Sequence, residues 1–398
     1  MPQLSSRAAA FPSSPIRKLA AAADAAKKRG TRVFHLNIGQ PDIETPPEFF
    51  QAIERAALRV LDYSPSPGYP ALRQAIADYY QRLGYPVDLS QTLVTTGASE
   101  AINFAFGAIL NPGDEVIVPE PYYANYSAFA LQVDAKIVPL ATAIEHDFAL
   151  PDIEAFREKI TPRTKAIMIC NPGNPTGVLY PAAALEKLQQ VCREHDLYLI
   201  SDEVYREFTY DGLQHHSVLG LAGLEQHTIV VDSISKRFSA CGARIGCLVT
   251  RNEELLAAFN KFAQARLSPP TLGQIGAEAV YQLPASYYES VNREYAARRD
   301  VLKAALQAIP GVVCPEINGA FYAMVGLPIQ DADHFCRWIL EDFQYNGQTV
   351  MLAPGPGFYA TPGAGANQVR IAYVLNQADL RAAMVVLQQA LEAYPGRS

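Results

Sequence analysis

From Thr92 to Thr250 the chain repeats one pattern: a short, almost wholly apolar run, then a longer segment with helical spacing. Residues 93–95, 115–118, 136–140, 166–170, 198–201 and 228–231 read as strands, and residues 97–110, 124–133, 152–159 and 182–195 as the helices between them. Apolar strands without polar alternation need cover on both faces, and crossover helices supply it. The pattern therefore predicts an α/β fold around a mostly parallel, seven-stranded sheet. Its last strand, residues 246–250, follows without a crossover helix and should run antiparallel to its neighbour.

Outside this block the pattern changes. Residues 16–28, 48–61 and 71–83 read as helices, and residues 33–38 as a strand that runs into the turn Gly39-Gln40-Pro41-Asp42. After Glu253 the chain turns helical, ending in a long helix over residues 286–309. Strands at 321–325, 349–353 and 369–374 then alternate with helices at 333–343 and 380–394, as in a smaller α/β domain. Three parts are expected: residues 1–45, packing with the small domain; residues 46–290, the large domain; and residues 291–398, the small domain.

With 398 residues, 49% hydrophobic and 18% charged, the chain is globular and long enough for two lobes. A net charge of −7 argues against nucleic acid as a bulk partner. Six scattered cysteines without C-x-x-C spacing read as reduced thiols of a cytoplasmic protein. No apolar run approaches the ~18 residues of a membrane span, and no metal-ligand pattern stands out.

The chemistry gathers where strands end, the usual ligand position in such sheets. Lys236 lies between two apolar strands, with Ser233 and Ser235 before it and Arg244 after it. A lysine so placed can form a Schiff base with an aldehyde, and hydroxyls with an arginine suit a phosphate. Aldehyde and phosphate together describe pyridoxal 5'-phosphate. Gly97-Ala98-Ser99 opens a helix whose free N–H groups can hold an anion, though an ordinary helix cap reads the same way. Asn174, in Asn171-Pro-Gly-Asn-Pro-Thr-Gly177, offers an amide. Asp202 ends a buried strand and needs a cationic partner or a capping role. Tyr205 follows it, and Tyr122 and Tyr123 follow another strand end, where they fit either a ring platform or the core. Arg370 is a lone arginine in an apolar strand, so it calls for a bound carboxylate or an internal salt bridge.

In this order, with S-x-S-K-x-x-x-x-x-G-x-R-x-G spanning Ser233 to Gly246, the chain resembles the class I/II aminotransferases of PLP fold type I over nearly its whole length. The resemblance implies pyridoxal phosphate as cofactor, with Lys236 as its Schiff-base lysine and Asp202 as partner of the pyridine nitrogen. It implies Asn174 and Tyr205 at the ring hydroxyl, Tyr123 stacked on the ring, and Ala98, Ser99, Ser233 and Arg244 around the phosphate. Arg370 and the Gly39 backbone would clamp the substrate α-carboxylate. Tyr63 would reach the phosphate in the neighbouring subunit, which implies a homodimer with shared active sites. Two positions depart from aspartate-specific relatives: Ser99 stands where many carry a lysine that contacts the distal carboxylate, and Tyr123 where many carry tryptophan. The expected reaction moves an α-amino group from an L-amino acid to a 2-oxo acid, 2-oxoglutarate foremost. A C–S lyase or cyclopropane-forming lyase on the same fold is the alternative, and a non-catalytic regulator a remote one. Ile16, Tyr69 and Ser99 are candidate walls of the side-chain pocket.

Overall fold

The computed structural model describes residues 2–12 and 14–397. Its strands in chain order are β1 (Arg32–His35), β2 (Thr92–Thr95), β3 (Glu115–Glu120), β4 (Lys136–Ala141), β5 (Thr164–Cys170), β6 (Tyr198–Asp202), β7 (Thr228–Ser233), β8 (Gly246–Val249), β9 (Tyr322–Gly326), β10 (Gln348–Met351), β11 (Ala353–Pro354) and β12 (Gln368–Ala372). Seven of them form one sheet in the order β2-β8-β7-β6-β5-β3-β4. Within it only β8 runs against the rest, being antiparallel to both β2 and β7. The strands alternate between two cores. Ile117, Ile167, Leu199 and Val230 enter one, while Val116, Ala166, Ile200 and Ile229 enter the other. A period of two with both faces dry is why these runs carry almost no polar residues.

A third core gathers residues far apart in sequence, from Leu19 and Phe34 to Tyr295, Phe321 and Leu391. It holds a three-stranded antiparallel sheet, β11-β12-β9, and a two-stranded parallel one, β1-β10. The 23-residue helix Ala285–Gln307 contributes Tyr295, Leu302 and Leu306 to this core. Among the described residues no helix is long and apolar enough to cross a membrane.

Three segments differ from the sequence expectation, each for a local reason. The helix expected from residue 48 to 61 is Pro47–Ala56, closed by Ala57 in the left-handed conformation (φ 45°). The helix expected from residue 16 begins at Ala20. Ahead of it, Pro15 starts a tight turn in which the Arg17 and Lys18 amides donate to the Ser14 carbonyl. The segment around Lys236, expected as a loop, is one turn of helix, Ile234–Arg237. Ser233 caps it by accepting from the Ser235 amide at 2.9 Å.

Candidate active site

The carboxyl ends of β3, β5, β6 and β7 open onto one cavity of about 580 Å³, a size typical of small-molecule sites. Lys236 reaches it from the turn after β7. The next residue, Arg237, is fully buried and pairs with Asp232. Asp232 also accepts from Tyr80 Oη at 3.2 Å and the Ser233 amide at 2.7 Å. This anchor fixes one side of the turn while Lys236 lines the cavity on the other. There its Nζ donates to the Gly39 carbonyl at 2.9 Å, and Cys241 Sγ lies 3.8 Å away.

Asp202 is the last residue of β6 and only 4% exposed. Tyr126 Oη donates to it at 2.7 Å, and the Val204 amide makes a weaker contact at 3.4 Å. Burial raises its carboxyl to about 6, against the pull of those donors and of Lys236. A buried carboxylate with so few donors suits a cationic N–H across the cavity. Tyr123 lines the same space. Its hydroxyl accepts from Asn125 Nδ2 at 2.8 Å, and its ring meets Tyr126 edge-on at 5.4 Å. Burial pushes its pKa up to about 12, so it stays neutral.

On the floor, the helix Gly97–Ile109 follows β2 without a side-chain cap at Thr96. Its first amides and its dipole therefore remain available to an anion. Gly97 has φ 73°, and a Cβ there would fall 2.2 Å from Arg244 Nη2. Glycine thus lets the guanidinium approach the helix start. Ser233 and Ser235, whose hydroxyls lie 2.7 Å apart, line the adjoining wall. Two cations or dipole ends, two hydroxyls and a lysine suit a phosphate joined to an aldehyde.

Arg370, in β12, is 1% exposed. Its Nη1 donates to Asn174 Oδ1 at 3.0 Å and its Nη2 to the Asn37 carbonyl at 2.5 Å. The rings of Tyr322 and Phe358 flank it at 4.5 and 5.0 Å. Among the described residues no Asp or Glu pairs with it, and its Nε has no acceptor. The internal salt bridge is therefore not what holds this cation. Asn174 Nδ2 in turn donates to Tyr205 Oη at 3.3 Å, and Tyr205 Oη meets Tyr322 Oη at 3.0 Å.

The sequence model of aminotransferase class I and II matches residues 31–387. The chain belongs to this family. Aspartate/prephenate aminotransferase of Thermus thermophilus is 35% identical over 365 residues, 90% of this chain and 91% of that protein. Aspartate aminotransferase of Bacillus subtilis is 32% identical over 404 residues, 98% and 97% of the two chains. The solved structure of Thermus thermophilus aspartate aminotransferase with maleate superposes with a TM-score of 0.90 at 33% identity, covering 98% of this chain and 100% of that one. Alanine aminotransferase from Pyrococcus furiosus does so with 0.89 at 32%, covering 97% and 99%. Class I/II aminotransferases are pyridoxal-phosphate-dependent transferases, and this chain is one of them by sequence and by fold.

Of the residues singled out in the sequence, Gly39, Ala98, Ser99, Tyr123, Asn174, Asp202, Tyr205, Ser233, Lys236, Arg244 and Arg370 all line the one cavity, as does Ile16. Tyr63 and Tyr69 do not; Tyr63 is 79% exposed. Sequence reasoning missed Tyr126, Tyr322, Asn37 and Cys241. Tyr126 sits in the first turn of the helix Asn125–Gln132 and Tyr322 in an apolar strand, where a tyrosine looks like core. In the structure a Cβ on Gly39 would lie 1.7 Å from the Tyr322 hydroxyl, so this glycine is required by contact.

Proposed function

We propose that this chain is an aminotransferase that holds pyridoxal 5'-phosphate in the cavity and exchanges amino groups between an L-amino acid and a 2-oxo acid, with 2-oxoglutarate as acceptor. The observation that carries the reading is Arg370, a buried guanidinium lacking any carboxylate partner among the described residues, in the same cavity as Lys236. It calls for a small anionic substrate beside a nucleophilic amine.

The lining fits the cofactor. The amides opening Gly97–Ile109, with Ala98, Ser99, Ser233, Ser235 and Arg244, would hold its phosphate; Asp202 would face its ring nitrogen, Asn174 and Tyr205 its ring hydroxyl, and Tyr123 its ring face. When bound, pyridoxal phosphate supplies an aldehyde for the substrate amine and a ring that accepts the electron pair left at the substrate Cα. The rest falls to the chain. Arg370, held by Asn174 and Asn37, grips the α-carboxylate in two-pronged fashion and fixes the direction of the Cα–H bond. Lys236 Nζ takes the proton from Cα as general base. Asp202 stays ionised opposite a positive charge, which reverses the rise that burial gives it. Tyr322, through Tyr205 and the face of Arg370, keeps both in position.

We also propose that residues 46–290 act as the cofactor-binding domain, and that residues 1–45 and 291–398 act as one smaller domain carrying Arg370. The enzyme works as a homodimer, with Tyr63 of each chain serving its neighbour's phosphate. Exposed apolar side chains beside it support this: Leu58, Val60 and Leu61 are 47%, 67% and 63% exposed. The test is the visible spectrum of the protein with pyridoxal phosphate and a panel of L-amino acids. Conversion to the pyridoxamine form, with release of the matching 2-oxo acid, is expected. Absence of colour, or ammonia release without conversion, would overturn the reading.

A further inference from the structure

Five charged side chains line the cavity: Arg17, Asp202, Lys236, Arg244 and Arg370. Four have a partner in the proposed reaction, namely the ring nitrogen, the aldehyde, the phosphate and the α-carboxylate. Arg17 has none. Its side chain is exposed at the cavity wall and makes no ion pair or hydrogen bond to any described residue. Nor is it on a loose strand of chain. Pro15 is buried against Gly357, and the Arg17 amide donates to the Ser14 carbonyl at 3.1 Å. The Ile16 carbonyl accepts from Asn37 Nδ2 at 2.7 Å, and Lys18 is paired with Asp333. Asn37 is the residue whose carbonyl also holds Arg370. One asparagine therefore ties the backbone that presents Arg17 to the α-carboxylate clamp. The positive charges of Arg370 and Arg17 both oppose the burial that raises the pKa of the Tyr123 hydroxyl. Beyond the five charged side chains, the lining is uncharged, Ser14, Ile16, Ile38, Ser99 and Asn125 included.

We infer that Arg17 is a specificity residue: it receives the distal carboxylate of dicarboxylic substrates, so that Arg370 and Arg17 grip the two ends of one molecule. The inference rests on the aminotransferase reading and deepens it. It assigns the enzyme to four- and five-carbon acidic amino acids and their 2-oxo acids, with neutral amino acids as poor donors.

The test uses the cofactor-loaded enzyme and Arg17→Met and Arg17→Lys. Calorimetry measures the dissociation constants of succinate and propionate, unreactive acids with two carboxylates and one. A charge-assisted contact of this kind is worth about 10- to 100-fold. Arg17→Met should weaken succinate by that factor and leave propionate within twofold; Arg17→Lys should recover part of the loss. In turnover, KM for 2-oxoglutarate should rise similarly with kcat little changed, while kcat/KM for pyruvate stays within twofold. Equal losses for both acids, or no loss for succinate, would overturn the assignment, the second outcome moving the cation to the partner subunit. The binding comparison needs no turnover. A wild type that prefers succinate yet transaminates nothing would sink the proposed function and leave Arg17 standing.

Discussion

At the scale of single residues, Lys236 and Asp202 do separable work. In the proposed reaction Lys236→Ala removes the base and the aldehyde's amine together, so transamination should fall by at least about 10³-fold. Circular dichroism should be unchanged, because Lys236 anchors nothing; the anchor is Arg237. A residual rate within tenfold of wild type would deny Lys236 its role. Asp202 carries a pH signature. Burial raises its carboxyl from an ordinary 3.8 to about 6. The folded cofactor-free protein therefore binds this proton more tightly than the unfolded chain. That contribution is complete below pH 4 and is lost as pH rises through 6, at a cost on the order of 3 kcal/mol. Asp202→Asn abolishes the titration. In urea unfolding without cofactor, the variant should match wild type near pH 4 and gain stability by pH 7, although its transamination drops by about 10²-fold or more. A stability difference that does not vary with pH would show that Asp202 is not the group responsible.

Among the elements, the turn Ile234–Arg237 and the helix Gly97–Ile109 are where local structure becomes site. Arg237→Met strands Asp232, a buried carboxylate, and should cost about 3–5 kcal/mol in chemical denaturation. Gly97→Ala forces a Cβ onto Arg244 at a left-handed backbone. About 1–3 kcal/mol of stability should be lost, with weaker pyridoxal phosphate retention on dialysis; unchanged retention would remove Arg244 from the phosphate. The large sheet was readable because both faces of its strands are buried, which leaves apolar runs such as Ala166 to Cys170 with no rival reading. The ends of elements were not. Ala57 closes a helix by its backbone conformation alone, and Asn37 holds back the start of another through a contact 21 positions away. The site was legible at Lys236, Asp202 and Arg370, since a charged group in an apolar setting demands a partner. Tyr126, Tyr322 and Arg17 gave no such signal. Tyr322 resembles core and Arg17 resembles surface until the fold brings both to one cavity, and Tyr126 acts on it only through its hydrogen bond to Asp202.

Across the whole molecule, the run from Leu58 to Tyr63 gathers four exposed large apolar side chains, Leu58, Val60, Leu61 and Tyr63, in six positions. On the proposed homodimer, Val60→Asp with Leu61→Asp should convert twice the 43.5 kDa chain mass to a single chain in light scattering, with loss of bound cofactor. A variant that stays dimeric would place the interface elsewhere. The pairing of β1 with β10 has a different reach. Arg32 lies beside Gln348, so a strand made early completes a sheet made some three hundred positions later. Removing the first forty residues would not trim a tail. It would delete a strand, the carbonyl that Lys236 rests on and the asparagine that steadies Arg370. During synthesis the early segment must wait, unpaired, until nearly the entire chain has emerged. Closing so long a loop is entropically costly. The active centre should therefore be among the last parts of this protein to take shape, and the most exposed to error while it does.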